Sequence, residues 1–296
     1  MLLGSTVIET ALALVFVYFF FSAVCSGIVE MIAARRELRA RNLDAALDEL
    51  LGSLKSKVLA HPATGARVLP GRPPSYLDPR LFAAGLLAVI TESSGERPDS
   101  PDRLRAAIEK LAEDLAVRRV LLTLLDDAEG DRRRLRELIM DWYQGAMDRI
   151  AGRYKRQVTS YTIGVALALS LAFNLDSIRI AEAIHGDAAL RAGLTAMVET
   201  TVNRGEESPV GEKEIVRPVV EVSGELQRLG MPIGWQKDEV QALADGSRAA
   251  RKIAGLVLST LALMLGSPFW FDLMKRFVNL RGVGPKPGRA SKTPPG

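Results

Sequence analysis

Three apolar blocks constrain this chain more than any other feature. The first, residues 7–32, reads VIETALALVFVYFFFSAVCSGIVEMI; the second, 161–180, reads YTIGVALALSLAFNLDSIRI; the third, 254–271, reads AGLVLSTLALMLGSPFWF. The hydrocarbon core of a bilayer is crossed by about 20 apolar residues in a helix. Inside it the backbone polar groups must pair within the segment, so such a block folds as a helix. The expected fold class is therefore an all-α integral membrane protein with three transmembrane helices. Whole-chain averages of 48% hydrophobic and 25% charged residues conceal this, because the apolar residues are collected rather than spread. A secretory signal peptide is the competing reading of the first block. It fails because no Lys or Arg precedes the apolar run and no small-residue cleavage site follows; the block runs straight into ARRELRAR. In the third block Gly266 and Pro268 fall near the end, where a helix kinks or stops.

Basic residues near the block ends set the expected orientation. Arg35, Arg36, Arg39 and Arg41 follow the first block, Arg149, Arg153, Lys155 and Arg156 precede the second, and Lys275, Arg276 and Arg281 follow the third. Residues 31–158 hold 23 basic and 19 acidic side chains, residues 175–252 hold 10 and 13, and residues 275–296 hold 6 and none. The tally places the N-terminus outside and the C-terminus in the cytoplasm, although Arg248, Arg251 and Lys252 sit against it on the outer side of the third block. It divides the chain into a first span at 1–32, a cytoplasmic helical region at 33–158, a second span at 159–180, an extracytoplasmic helical segment at 181–252, a third span at 253–274 and a basic tail at 275–296. The tail is rich in Gly, Pro and Lys and is expected to be disordered. The net charge of +4 is what basic cytoplasmic flanks give a membrane protein, so no specific nucleic acid is expected.

Outside the blocks the apolar periodicity is helical. The first span is expected to continue as a helix through RRELRARNLDAALDELLG. A proline-rich loop, LPGRPPSYLDP, separates this from a helix at 78–91, and SSGERPDSPD forms a second loop. Ser100, Pro101 and Asp102 start a helix whose stripe runs Leu104, Ile108, Leu111, Leu115, Val120. After Gly130 one helix is expected from 131 through the second span to about 173, carrying Leu135, Ile139, Trp142, Ala146 and Ile150 on one face. Trp142, Tyr143 and Tyr154 read as aromatics nearing the interface, with Lys155 and Arg156 at headgroup depth. Beyond the second span, helices are expected at 176–202 and 217–229, with the breaker-rich NRGEESPVGEKE between them and a tight GMPIGW segment after them.

Four stretches, RARNLDAALDELLG, DWYQGAMDRIAGRYKR with the span that ends FNLDSIRIA, MPIGW, and LGSPFWFDLMKRFVNLRG, together bracket nearly all of the chain. In these it resembles a widespread, uncharacterised family of bacterial three-span membrane proteins. The pattern of that family has Phe where this chain has Tyr143 and Ser where it has Ala151. The resemblance implies the three-span layout in a bacterial cytoplasmic (inner) membrane and lends no activity.

Chemistry-bearing residues are few. Asp272 lies beside Trp270, with Lys275 and Arg276 within a turn and Pro268 just before. It could serve at the mouth of a pathway, but an interfacial ion pair in an aromatic belt is the plainer expectation. Glu9 and Glu30 stand about 30 Å apart along one helix, each expected near an interface, Glu30 within reach of Arg149 or Arg153. Asn174 and Asp176 read as a solvated helix exit. Gly164, Ala168 and Ala172 form a small-residue ridge expected to pack on Ala23 and Gly27 of the first span, with Leu169 facing outward. Glu137, Asp141 and Asp148 alternate with arginines as helix ion pairs. Cys25 is the lone cysteine, and His61 and His185 are too few for a histidine-built metal site. No phosphate loop, HExxH or GxSxG is present, and neither cofactor nor metal nor catalysis is expected. The functional expectation is a membrane-anchored scaffold or assembly subunit, in contact with lipid and with another membrane or cytoplasmic protein or further copies of itself. A subunit of an oligomeric channel or transporter is the alternative.

Overall fold

The computed structural model describes residues 2–65, 74–93, 101–113, 116–205, 216–236 and 246–282, and all regular structure among them is helical. The expected loop residues 69–73, 94–100 and 206–214 and the tail from 283 onward lie outside the described residues. The chain divides into two units. Residues Ala33–Val158 form an insert unit; Met1–Ile32 with Thr159–Gly296 form an apolar unit.

In the insert unit, α2 (Leu38–Leu51) leads into a 3-10 turn, the short α3 (Lys55–Ala60) and a second 3-10 turn. There follow α4 (Pro79–Ser93), α5 (Pro101–Glu109), α6 (Ala116–Asp127) and the first part of α7 (Arg132–Ala172). Each long helix offers apolar residues at i and i+4, hence on one face. Leu43, Leu47 and Leu51 of α2 meet Phe82, Leu86 and Ile90 of α4, Leu104 and Ile108 of α5, Val117, Leu121 and Leu125 of α6, and Leu135, Ile139 and Tyr143 of α7. Burying one such side chain contributes about 1.5–3 kcal/mol, so these faces make a helical bundle with its own core. Lys55 sits 2.7 Å from Asp44 and 2.8 Å from Asp48, tying α3 back to α2.

The helix expected to run on from the first block stops at Arg35. Glu37 takes a left-handed conformation (φ 50°), and α2 starts afresh at Leu38. The single helix expected after Pro101 is two helices, both turning their apolar stripes to the same core. Tyr143 is a core residue and Trp142 packs half-buried against the same core: Tyr143 stacks on Phe82 at 4.1 Å and 20°, and Trp142 lies 6.2 Å from the same ring. Lys155 and Arg156 are exposed, and Arg153 pairs with Glu49 at 3.2 Å.

The apolar unit is built on α1 (Leu2–Arg35), the only described helix long and apolar enough by itself to cross a membrane. Around it come the end of α7, then α8 (Ser177–Gly186), α9 (Ala188–Arg204), α10 (Val216–Arg228), α11 (Gly246–Met264) and α12 (Ser267–Gly282). Helix α7 is continuous over 41 residues, as its proline-free run predicts. The helix expected over 176–202 breaks at Asp187, whose carboxylate caps α9 by accepting from Ala189 N and Leu190 N. The third block is not one straight helix: α11 ends at Met264, Gly266 takes φ +82°, and α12 departs at 93°. The second block is also bent, by 51° between α7 and α8. Each bent pair is long and apolar enough only when its two helices are taken together. The start of the basic tail, through Gly282, is helical rather than disordered.

Candidate functional site at two helix breaks

The two breaks share one buried polar cluster against the middle of α1, where consecutive positions from Val15 to Cys25 are buried. The Tyr18 hydroxyl donates to Ser177 Oγ at 2.7 Å, and Ser177 Oγ lies 2.7 Å from Ser259 Oγ on α11. Accepting from Tyr18 leaves the Ser177 hydroxyl proton free to point at Ser259, so three hydroxyls from three helices form a relay. All three residues are buried. Hydroxyls survive in such a setting because each finds a partner.

The first break is built by Asn174 and Asp176, both buried rather than solvated as their polarity alone suggests. Asn174 takes φ 49°, a conformation in which Asn is over-represented. Its side-chain N–H donates to the Gly234 carbonyl, and Gly234 N–H returns a bond to Phe173 O. Trp235 Nε1 donates to Leu171 O at 2.7 Å. The MPIGW segment thus takes up carbonyls that the end of α7 leaves without helical partners. Asp176 accepts from Ile178 N and Arg179 N and caps α8. Gly255 of α11 is pressed against that carboxylate so closely that an added Cβ would collide with it.

At the second break Pro268 stands in the first turn of α12, where a missing N–H costs no helical bond. Trp270, 8% exposed, donates from Nε1 back across the bend to Ala262 O at 2.8 Å. Its ring lies 4.8 Å from that of Tyr18, and Phe271 lies 5.8 Å from Phe19. Trp270 therefore joins α11, α12 and α1. Asp272 points away from this cluster: it is exposed and pairs with Lys275 at 2.7 Å. Glu9 is held by Arg191 of α9, whose Nε stands 3.5 Å away while Nη1 donates to the Ile184 and His185 carbonyls.

The expected small-residue ridge does not pack on α1. Gly164, Ala168 and Ala172 are exposed, and Gly164 has open space where a Cβ would stand. The opposite face of α7, with Ala166, Leu169 and Ser170, is the buried one, and Phe173 meets Phe21 of α1 at 5.4 Å. Leu169, expected to face outward, is buried.

Tyr18, Ser177 and Ser259 carried no signal in the sequence beyond being polar residues in apolar runs. No cluster of three or more His, Cys, Asp or Glu suited to a metal ion occurs among the described residues. Family models, curated proteins and solved structures all return no match to this chain.

Proposed function

We propose that this protein is a membrane-anchored scaffold or assembly subunit, its apolar unit embedded in a bacterial inner membrane and its insert unit in the cytoplasm. The reading keeps the three membrane segments of the resembled family, with the N-terminus outside and the C-terminus inside, and treats the second and third segments as bent. The observation that carries it is the contrast between the two surfaces. The apolar unit exposes Ile163, Leu167 and Leu171 along α7, and Val257 and Leu261 along α11 with Leu265 just past its end, two stripes at i, i+4, i+8. Large exposed apolar stripes mark membrane or protein contact. The insert unit buries its apolar residues in a core of its own and leaves a 250 Å³ groove lined by Arg39, Asn42, Tyr76, Tyr143, Gln144 and Tyr154. An aromatic and arginine lining is the composition that protein interfaces favour.

A conducting subunit is the second reading. Two broken apolar helices whose breaks meet at buried polar groups resemble the layout of membrane transport sites, and Tyr18, Ser177 and Ser259 fit that description. The test pairs two measurements. Photo-crosslinking from Tyr76 in living cells is expected to give one discrete adduct, with a second protein or a second copy, that is absent when the probe is moved to exposed Arg119. Purified protein in liposomes is expected to stay ion-tight. Ion flux above that of empty vesicles overturns the scaffold reading in favour of the conducting one.

A further inference from the structure

The hydroxyl relay opens onto a groove of about 840 Å³ between α1, α8, α11 and α12. Its walls are hydrocarbon, with Leu14, Ile178, Ala181, Leu258 and Leu261 among them, and Trp270 and Leu265 stand at the end where α12 turns off at 93°. Glu182 belongs to the lining and is in direct ionic contact with Arg251 of α11, both side chains more than half exposed. The groove thus has an apolar trough and a mouth that bears one negative and one positive group.

We propose that this groove binds one membrane phospholipid with a primary-ammonium headgroup, of the phosphatidylethanolamine kind. Its ammonium would meet Glu182, its phosphate Arg251, and one acyl chain would lie in the trough. The proposal rests on the membrane reading above. Three observations support the occupant. From Leu258 on α11 to Leu265 just past its end the trough wall covers seven residues, about 10 Å at 1.5 Å per residue, against about 15 Å for the hydrocarbon of one leaflet, half of a 30 Å core. The trough therefore holds the greater part of a single chain from one leaflet and is too short to span two. An arginine presents a fork that matches phosphate oxygens, while a carboxylate beside it suits an ammonium that can donate hydrogen bonds. A purely anionic headgroup would leave Glu182 facing a like charge, and a quaternary ammonium has no N–H to give it. Tyr18 and Ser177 line the trough, yet their hydroxyls are engaged with each other and with Ser259, so the trough offers a chain little unsatisfied polarity.

The test uses the full-length protein, first extracted from membranes and floated with vesicles, then delipidated in mild detergent and titrated with phosphatidylethanolamine, phosphatidylglycerol or phosphatidylcholine, with retained lipid read by native mass spectrometry. One phosphatidylethanolamine is expected to be retained in preference to either of the others by roughly tenfold, the size of one net hydrogen bond to a charged group. Glu182→Gln should remove the preference over phosphatidylglycerol, and Arg251→Gln should weaken retention of all three phospholipids without changing the melting temperature. Ala181→Phe, which fills the trough, should abolish retention, while Leu167→Phe on the exposed side of α7 should not. Equal retention of the three lipids, or unchanged preference in Glu182→Gln, overturns the proposal even if Ala181→Phe fails to fold. Failure to float with vesicles, with solubility in the absence of detergent, would instead overturn the membrane reading itself.

Discussion

Tyr143 carries a hydroxyl into the core of the insert unit and donates it to the Leu77 carbonyl at 3.0 Å. Tyr143→Phe keeps the stack on Phe82 but leaves that carbonyl without its partner, so it is expected to lower stability by about 1 kcal/mol, read as a shift in the urea midpoint. The pair also makes a pH prediction. Burial, aided by nearby Tyr76 and Asp78, raises the Tyr143 pKa above its usual 10. Above pH 10 the unfolded chain loses this proton while the folded one keeps it, so the folded state binds more protons and its stability falls as pH rises. Below pH 10 both states are protonated and the term vanishes. The wild type should therefore lose stability between pH 10 and 11.5 more steeply than Tyr143→Phe, and parallel curves would show that the hydroxyl is not buried as described. The apolar face around Tyr143 could be read from periodicity, but its bond to a carbonyl 66 residues away could not, because nothing local specifies a partner in another loop. Gly255 is a similar case. Only the structure shows its backbone against Asp176, and Gly255→Ala should lower the melting temperature in detergent where Gly164→Ala, with open space, leaves it unchanged.

Along α7 the helix itself was legible and its packing side was not. A proline-free run with apolar positions at helical spacing is enough to predict 41 residues of continuous helix. Near its end, however, apolar residues occupy every side, and periodicity then carries no information about which side meets α1. The small-residue ridge of Gly164, Ala168 and Ala172 suggested close packing, yet close approach there is made by Ala166, Leu169 and Ser170. The bulk of the aromatic α1, with Phe19, Phe20 and Phe21 buried in succession, explains this: large rings fill the space between helices and remove the need for a small-residue seam. The mutational expectation reverses accordingly. Leu169→Ala should cost about 2–5 kcal/mol as a core truncation, lowering the melting temperature in detergent, while Ala168→Leu should be close to silent. Equal effects would mean that both faces are covered. At the α11–α12 bend, Gly266 and Pro268 announced an interruption, but its right angle depends on Trp270 reaching back to Ala262. Trp270→Phe should keep the ring contact with Tyr18 and lose the bond, at about 1 kcal/mol.

The division of the chain into an insert and an apolar unit was legible because it follows composition: residues 33–158 form a single stretch between two apolar blocks. What composition did not give is how complete the insert's core is, since α2, α4, α5, α6 and α7 contribute to it from positions up to about a hundred residues apart, from Leu43 to Tyr143. A bundle of this size with its own core is expected to fold by itself. A fragment of residues 33–158 would cut α1 and α7 inside their helical runs, but the last core position of α7 in the insert's main cluster is Tyr143, four turns before the cut at 3.6 residues per turn. Fraying of the last two turns, residues 151–158, therefore leaves Ala146, Met147 and Ile150 in place as well. The fragment is expected to be soluble without detergent, helical by circular dichroism, and to melt in one cooperative transition that Leu121→Ala lowers markedly, by about 2–5 kcal/mol. Leu121 is fully buried among α5 and α6 neighbours, whereas Arg119 is exposed, and Arg119→Ala should leave the transition in place. A broad, non-cooperative melt, or equal responses to the two substitutions, would mean that the insert acquires its packing only when the apolar unit holds both of its ends.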